Sequence, residues 1–264
     1  MDALTELCRS LNMPQPVTEE IQTICPQLPL TDLAPAMKKL FQERTWEEGL
    51  TQLKDQLSPD PLGMKMLTCT LLCALQTRTL YAQKGMDDTI FLATMDCFPR
   101  FVREHMDSFG TYGFDRDFWT VRQLSCVLFR IGLLEYELDG DNVSVHIPGG
   151  AHLIPEEIDA SVEDARIFLA RFFPQWKDAP MCCHSWLLSP QLPSLLRESS
   201  NIIRFQNRFR ITPESAQTSD FLEWIYKNKT IPYADLPENT SLQKLLKQHL
   251  LQGGTFVEGR GILI

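Results

Sequence analysis

Residues 133–147 read LLEYELDGDNVSVHI, and this stretch decides the fold of the second half of the chain. Its two runs, LLEYEL and VSVHI, alternate between apolar and polar side chains, which is the pattern of strands with one buried face. The four residues between them, DGDN, are the residue types that favour tight hairpin turns. The stretch therefore predicts an antiparallel hairpin.

The turn length determines which side chains of this hairpin face each other. A two-residue loop and a four-residue loop give the same register, with Tyr136 opposite Val145 on an apolar face and Glu135 opposite His146 on the other. Directly opposed side chains lie about 5 Å apart at Cβ, within reach of a contact between a carboxylate and an imidazole. We therefore predict His146 as a catalytic base and Glu135 as the catalytic partner that orients it. The alternative is a cross-strand charge pair on a solvent-exposed face.

The residues after the hairpin mix helical and strand patterns. HIPGGAHLIPEEIDAS bends at Gly149 and Gly150, and Ser161 is the predicted cap of the helix that follows. Further strands are predicted at MCCHSWLL, IIRFQNRFRI, DFLEWIY and TFVEGRGILI, and further helices at PSLLRE and TSLQKLLKQHLLQGG. This mixture predicts an α+β arrangement for the second half of the chain.

The first half of the chain consists of successive helical patterns. TWEEGLTQLKDQL carries leucines on one helical face, and DPLGMKMLTCTLLCALQTRTLYAQKG ends at Gly85. DDTIFLATMDCFPRFVREHMDSFG is predicted as one helix bent at Pro99, and FDRDFWTVRQLSCVLFRIG as another that ends at Gly132. The two glycines of FGTYGFD place the boundary between a helical domain of residues 1–110 and a second domain of residues 111–264.

The composition argues against several classes of protein. A net charge of −9 argues against a general nucleic-acid binder, since phosphate recognition requires a basic surface. No apolar run reaches about 18 residues, so we expect no membrane span. The start, MDALTELCRSLNMPQP, lacks the blocks of a secretion signal, so the eight cysteines favour free thiols in a cytoplasm. Cys69 and Cys73 lie one helical turn apart, but no nearby His or Cys pair completes a zinc site, and we expect no metal.

The stretch IIRFQNRFRI suggests an anion site. As an alternating strand it places Arg204, Gln206 and Arg208 on one face. Guanidinium groups bind phosphate and carboxylate through paired donors, so we predict that these side chains bind an acidic group of a ligand. The alternative is a solvent-exposed strand face whose arginines pair with acidic residues such as Glu156 or Glu198.

The crowded stretch MCCHSWLL holds the residue types of a nucleophile and its base. In a strand, however, neighbouring side chains point to opposite faces, so His184 diverges from both Cys183 and Ser185. Cys182, His184 and Trp186 share one face instead. We therefore predict a core strand rather than the nucleophile of a hydrolase.

Four stretches of the chain carry a family resemblance. They are YGFDRDFWTVRQLSCVLFRIGLLEYEL, HIPGGAHLIPEEIDASVEDARIFLARFF, HSWLLSPQLPSLLRESSNIIRFQNRFRI and FLEWIYK. Together they resemble the bacterial acyltransferase-domain proteins, which have a helical N-terminal domain and a GNAT-like C-terminal domain. The resemblance covers the second half of the chain well and the first half more loosely. It implies an α+β fold in which an N-terminal α-helical domain is followed by a GNAT-like mixed-sheet domain.

The resemblance also implies an activity. GNAT enzymes transfer an acyl group from coenzyme A to an amine, and the pantetheine arm of the coenzyme lies between two splayed central strands. The implied co-substrate is acetyl-CoA or another acyl-CoA, and the implied partner is a small-molecule amine. In this chain the arm is expected to pass between the VSVHIP strand and the MCCHSWLL strand.

One motif of GNAT enzymes is missing from the chain. Their pyrophosphate loop reads Gln/Arg-x-x-Gly-x-Gly/Ala and precedes a helix whose N-terminal amides hold the phosphates. No stretch of the chain matches this pattern, and Gly149, Gly150 and Ser161 are the nearest candidates for cofactor-binding residues. The missing motif keeps a second hypothesis open, a GNAT-like module that binds a ligand or a protein without catalysis.

Overall fold

A computed structural model describes residues 2–227 and 230–264 of the chain. The chain forms two compact units, Met1–Ile131 and Gly132–Ile264. This division lies further along the chain than the predicted boundary after residue 110. Within the described residues, no helix has the length and apolar character needed to cross a membrane.

The first unit is helical, as the sequence predicts. Its described residues form eight α-helices followed by one short strand. In chain order these elements are α1 (Asp2–Ser10), α2 (Gln15–Ile24), α3 (Leu30–Lys39), α4 (Trp46–Leu57), α5 (Met64–Lys84), α6 (Asp88–Met95), α7 (Cys97–Phe109), α8 (Asp117–Leu124) and β1 (Leu128–Ile131).

Helix α5 is the centre of the first unit because residues 64–75 carry a single charged side chain, Lys65, and otherwise lack a polar face. Eleven of its 21 residues are buried, and a helix without a polar face is stable only when other elements surround it. Helices α1, α2, α4, α6 and α8 all contact it. Asp60 accepts hydrogen bonds from the backbone N–H groups of Lys65 and Met66 at its start. Gly85 ends the helix with a φ of 69°, which confirms the predicted stop.

Two predictions for the first unit are wrong. Helices α6 and α7 replace the single helix bent at Pro99, because the chain breaks at Asp96 and Pro99 lies in the first turn of α7. The missing N–H of proline is not needed in a first turn. The next predicted helix continues to Gly132, but α8 ends at Leu124. Cys126, with a φ of 59°, then turns the chain into β1.

The second unit combines one sheet with helices, which confirms the predicted α+β fold. Its elements are β2 (Leu134–Asp139), β3 (Asn142–His146), α9 (Pro155–Phe172), β4 (Met181–Ser185), α10 (Leu192–Leu195), α11 (Asn201–Gln206), β5 (Phe209–Thr218), α12 (Asp220–Tyr226), α13 (Ser241–Leu251) and β6 (Phe256–Leu263). Its described strands lie in the order β2-β3-β4-β6-β5. Neighbours are antiparallel except β3 and β4, which are parallel and therefore need the long crossover that α9 supplies.

The hairpin predicted from LLEYELDGDNVSVHI is present as β2 and β3. Glu135 pairs with His146 and Tyr136 with Val145, which is the predicted register. Gly140 occupies the turn with a φ of 57°, a conformation that favours glycine. The apolar face is buried as expected, since Tyr136 is 1% exposed and Val145 is 3% exposed.

Two stretches predicted as strands form helices. IIRFQNRFRI divides into α11 and the beginning of β5, and DFLEWIY forms α12. Both runs are short, so their apolar residues fit a helical turn as well as a strand. Local hydrogen bonds decide between the two, such as Asn207 N–H to the Ile203 carbonyl at 3.0 Å and Leu222 N–H to the Ser219 carbonyl at 2.9 Å.

Two other predictions for the second unit are confirmed, since TFVEGRGILI contains β6 and TSLQKLLKQHLLQGG forms α13. MCCHSWLL is a strand only over Met181–Ser185. Trp186–Leu188 form a 3-10 helix, so Trp186 does not continue the strand face of Cys182 and His184. The start of α13 has a reciprocal cap. Gln243 N–H donates to the Thr240 hydroxyl, and the Gln243 side chain accepts from Thr240 N–H.

Candidate functional site

The two parallel strands of the second unit part from each other. Among the described residues, the pairing of β3 with β4 covers only Val143 with Met181 and Ser144 with Cys182. Both strands nevertheless continue beyond the last pair. A hydrogen bond of 2.9 Å from Val143 N–H to the Pro180 carbonyl marks the other end of this short ladder. The backbone ladder therefore stops before the carboxyl ends of the two strands, and the unpaired interval between them is called the gap.

Backbone polar groups border this gap. In a parallel ladder, the step after Ser144 and Cys182 joins the Val145 carbonyl to the His184 N–H. That step lies beyond the last pair, so one backbone acceptor and one backbone donor face each other across the gap. In open α/β sheets, ligands usually bind outside the carboxyl ends of the parallel strands.

Two histidines stand on the same face of the sheet, one on each side of the gap. Ser144 and Cys182 face each other in the last pair. Side chains two residues apart share a face, so His146 and His184 project from the face of that pair. The Nε2 atom of His146 lies 2.8 Å from Glu137 Oε2, and the two side chains are 27% and 16% exposed.

The carboxylate that contacts His146 in this hydrogen bond comes from Glu137 rather than from the predicted Glu135. Glu137 is the diagonal neighbour of His146 across the hairpin, and long side chains reach their diagonal neighbours. Glu135 faces His146 in the backbone register but is only 2% exposed. The observed contact supports Glu137 as the orienting residue, and a catalytic contribution of Glu135 stays a prediction.

Residues from three strands meet at His184. Its Nε2 lies 2.9 Å from Glu258 Oε2 on β6 and 3.3 Å from Glu214 Oε1 on β5. The register of β5 against β6 is irregular between Pro213 and Gln217, and bulges of this kind redirect side chains. This cluster could not be predicted from the sequence, because only the strand order β4-β6-β5 brings the three residues together.

The loop after β3 contains the two glycines predicted for cofactor binding. Ala151 N–H donates to the Pro148 carbonyl at 3.2 Å, which closes a turn with Gly149 and Gly150 at its centre. Gly150 has a φ of 81°, which glycine adopts without strain. A Cβ at Gly150 would meet nothing within 4 Å, so the turn is open on that side. The cofactor-binding assignment of the two glycines stays a prediction.

Helix α9 begins at Pro155, shortly after this turn. The connection from β3 through a loop into a helix is the one in which GNAT enzymes hold the pyrophosphate. Here the first turn of the helix carries Glu156 and Glu157. The helix dipole favours these acids, but their charge opposes a phosphate at the same end. The loop therefore lacks the glycine motif of GNAT enzymes, and the helix after it begins with two acids.

Ser161 lies inside α9, so its prediction as a helix cap is wrong. The helix begins earlier, at Pro155, and Ser161 is 1% exposed. Its Oγ accepts a hydrogen bond from Leu134 N–H at 3.2 Å and lies 3.0 Å from the Tyr136 hydroxyl. Burial raises the pKa of Tyr136, so the phenol stays protonated. Ser161 therefore links α9 to β2 and is too buried to contact a cofactor.

We expect Ser161→Ala to lower the free energy of unfolding by about 1–3 kcal/mol, the cost of leaving buried polar groups without a partner. The Leu134 N–H and the Tyr136 hydroxyl both lose their contact with Ser161 Oγ. Urea denaturation followed by circular dichroism measures the change, and Ser194→Ala is the control because Ser194 is exposed. Equal stabilities of the Ser161→Ala variant and the wild type would contradict this link.

The residues predicted as an anion-binding strand face occupy α11 and the turn after it. Arg204 is exposed on the helix. Gln206 is 4% exposed, and its Nε2 donates to the carbonyls of Leu187 at 2.8 Å and Ser189 at 3.0 Å. The predicted shared strand face of Arg204, Gln206 and Arg208 is therefore wrong.

Arg208 already binds a carboxylate. Its Nε and Nη2 donate to the two carboxylate oxygens of Asp159 at 2.7 Å and 2.8 Å. This paired contact lowers the pKa of the Asp159 carboxyl. Arg208 is therefore ion-paired with Asp159 of α9. An arginine paired with an acidic residue is the alternative to an anion site.

Two family models match the chain. A model of an N-acyltransferase N-terminal domain matches residues 2–126, and a model of a GNAT-like C-terminal domain matches residues 128–263. The junction between them lies close to the division of the structure between Ile131 and Gly132. Comparison with curated proteins gave no match.

Several solved structures of acyltransferases are similar to the chain over nearly its whole length. An acyltransferase in complex with decanoyl-CoA and teicoplanin is 27% identical, with a TM-score of 0.79 over 98% of this chain and 86% of that one. An acyltransferase in complex with CoA and 10C-teicoplanin is 26% identical, with the same TM-score of 0.79 and the same coverage of 98% and 86%. An acyltransferase in complex with decanoyl-CoA is 25% identical, with a TM-score of 0.79 over 100% and 88% of the two chains.

The family matches confirm the resemblance that the sequence motifs indicated. One match covers the helical unit and the other covers the sheet unit, in the predicted order. The chain therefore belongs to the acyltransferase family whose members join an N-acyltransferase N-terminal domain to a GNAT-like C-terminal domain.

Proposed function

We propose that the chain transfers an acyl group from an acyl-CoA to the amine of a small molecule. Its family is one of acyltransferases, and similar structures contain decanoyl-CoA, octanoyl-CoA or CoA. The observation that carries the proposal is the parting of β3 and β4 beyond Ser144 and Cys182. A pair of splayed parallel strands is where GNAT enzymes hold the pantetheine arm.

The gap offers the hydrogen bonds that a pantetheine arm needs. The arm contains two amides, each with one donor and one acceptor. The Val145 carbonyl and the His184 N–H are the complementary groups on the two sides of the gap. An arm bound between them takes the place of the missing step of the ladder, as a peptide does when it adds to a strand edge. In this position its thioester reaches the sheet face that carries His146.

His146 is the proposed general base. Its Nε2 lies 2.8 Å from Glu137 Oε2. In the proposed tautomer Nε2 donates its proton to this carboxylate and Nδ1 is the proton acceptor. The amine nitrogen attacks the thioester carbon, the nitrogen loses its proton to Nδ1, and the carbonyl oxygen takes up negative charge. That charge requires hydrogen-bond donors beside the thioester carbonyl. The C–S bond then breaks, and coenzyme A leaves as its thiolate.

A cationic small molecule is the proposed acceptor. Two similar structures contain teicoplanin or 10C-teicoplanin together with the coenzyme. The net charge of −9 favours an ammonium-bearing molecule over a nucleic acid. We place the reaction in the cytoplasm, since all eight cysteines carry free thiols, which persist in a reducing compartment.

A GNAT-like module that binds a ligand without catalysis is the second candidate. Glu156 and Glu157 favour it, because acids in the first turn of α9 oppose the phosphates of coenzyme A. Such a module binds its ligand but releases no coenzyme A in the presence of an amine.

A thermal shift experiment tests whether coenzyme A binds. A ligand that binds only the folded chain stabilises it by about 2.7 kcal/mol at a concentration one hundred times its Kd, so Tm should rise with CoA and with decanoyl-CoA. Adenosine 3′,5′-bisphosphate, which lacks the pantetheine arm, should give a smaller shift if the gap between β3 and β4 holds the arm. No shift at millimolar CoA would contradict the proposal. A shift without release of CoA from decanoyl-CoA and a panel of amines, followed by mass spectrometry, would favour the non-catalytic module.

A further inference from the structure

We propose that His184, Glu214 and Glu258 bind a zinc ion or a similar first-row divalent transition-metal ion. Each residue offers one donor atom, and the three donor atoms all lie within 4.8 Å of one another. They come from β4, β5 and β6, three adjacent strands of one sheet. The proposed acyl transfer needs none of these side chains, so the metal site is an additional property of the chain.

The spacing of the donor atoms fits tetrahedral coordination. His184 Nε2 lies 2.9 Å from Glu258 Oε2 and 3.3 Å from Glu214 Oε1. Zinc binds imidazole nitrogen and carboxylate oxygen at about 2.0–2.2 Å, so two tetrahedral ligands of one ion stand about 3.3–3.6 Å apart. The three donor atoms all lie within 4.8 Å of one another, so their side chains adjust to this spacing around the ion, and water supplies the fourth ligand.

A divalent metal ion neutralises the negative charge of this cluster more completely than a proton does. The Nε2 atom of His184 carries at most one proton, which cannot serve two carboxylate oxygens equally well. A divalent ion neutralises both Glu214 and Glu258 at once. Arg260 Nε lies 3.8 Å from Glu214 Oε1, but its side chain is 67% exposed. An exposed ion pair of this length contributes at most about 1 kcal/mol, so a metal ion that binds Glu214 can displace Arg260.

The donor types select the class of ion. Imidazole nitrogen together with carboxylate oxygen suits zinc and its neighbours, whereas magnesium and calcium prefer oxygen donors alone. The side chains of His184, Glu214 and Glu258 are 45%, 35% and 20% exposed, so an ion can enter from solvent. Once bound, it joins three strands, and it stabilises the folded second unit by an amount that rises with the logarithm of the ion concentration.

Isothermal titration calorimetry of the untagged, chelator-treated full chain with zinc chloride tests the site, with a thiol-free reductant present. The wild type should bind one zinc ion, and its Tm should rise. His184→Asn and Glu258→Gln should each weaken zinc binding by at least about tenfold. Arg260→Gln should strengthen binding, because it removes the competing cation. His152→Asn and Glu157→Gln change an exposed imidazole and an exposed carboxylate elsewhere and should bind zinc like the wild type.

The thiol of Cys182 needs its own control, since cysteine also binds zinc. Cys182→Ser should bind zinc with unchanged affinity if the three proposed ligands form the site. Loss of binding in Cys182→Ser would overturn the ligand set, and so would equal affinities of the wild type, His184→Asn and Glu258→Gln. A wild type that takes up no zinc would overturn the site altogether. Because the readout is binding of the ion alone, neither result depends on whether the chain transfers acyl groups.

Discussion

Replacing His146 with alanine should lower kcat for acyl transfer by about 10²–10⁴-fold, the usual contribution of a general base. The side chain takes the amine proton in the proposed reaction, and its 2.8 Å hydrogen bond to Glu137 holds the ring. Binding of acyl-CoA should change little, because the proposed contacts of the arm are the backbone groups of Val145 and His184. Steady-state kinetics with an amine acceptor measure the first effect, and calorimetry with the acyl-CoA measures the second.

Two variants separate loss of the base from loss of the fold. Glu137→Gln keeps a hydrogen bond to the ring but removes the charge that stabilises the imidazolium, so kcat should fall by a smaller factor. His152→Ala removes an exposed imidazole from the loop after β3 and should leave kcat unchanged. Full activity of His146→Ala together with lost activity of His184→Ala would contradict this assignment. It would identify His184 as the general base.

Gly259→Ala should destabilise the chain by about 3 kcal/mol or more, at the upper end of the cost of overpacking. A Cβ at this position would stand 2.3 Å from the carbonyl oxygen of Leu188 and 2.8 Å from its Cβ. Neither the backbone of Gly259 nor that of Leu188 can move away easily to relieve this clash. Gly259 lies in β6 between β4 and β5, and Leu188 is fully buried. The drop in the urea midpoint, or loss of folded protein on expression, measures the effect.

Gly253→Ala is the matched control for this clash. Gly253 precedes β6 and has a φ of 82°, but a Cβ there meets nothing within 4 Å. Its replacement therefore adds only backbone strain of about 1–2 kcal/mol. If Gly259→Ala cost no more than Gly253→Ala, the close approach of Leu188 to β6 would not limit stability.

The hairpin shows how much of the structure can be predicted from the local sequence pattern. Alternation through LLEYEL and VSVHI determines which face is buried, and the turn DGDN sets the register, so the pairing of Glu135 with His146 was predictable. The contact of His146 with Glu137 was not predictable in the same way. It depends on the diagonal reach of two side chains across a twisted pair of strands.

The stretch IIRFQNRFRI shows where local pattern fails. Its apolar residues fit both a strand and a short helix, and the sequence alone does not distinguish them. Phe205 and Gln206 are buried against the turn after β4, where Gln206 donates to the carbonyls of Leu187 and Ser189. These contacts favour a helix over a strand for the first part of the stretch. With that change, the predicted anion-binding face disappears and Arg208 pairs with Asp159 instead.

The fold class, the helical first unit, the hairpin and the family could be predicted from the residues, because these depend on periodicity and on motifs within single stretches of chain. Two features required the three-dimensional fold: the β3–β4 ladder ends at Ser144 and Cys182, and His184 meets Glu214 and Glu258. These features arise between strands that are distant in sequence. Their positions depend on strand order, on an irregularity in β5 and on the packing of β6, and none of these leaves a local pattern in the residues.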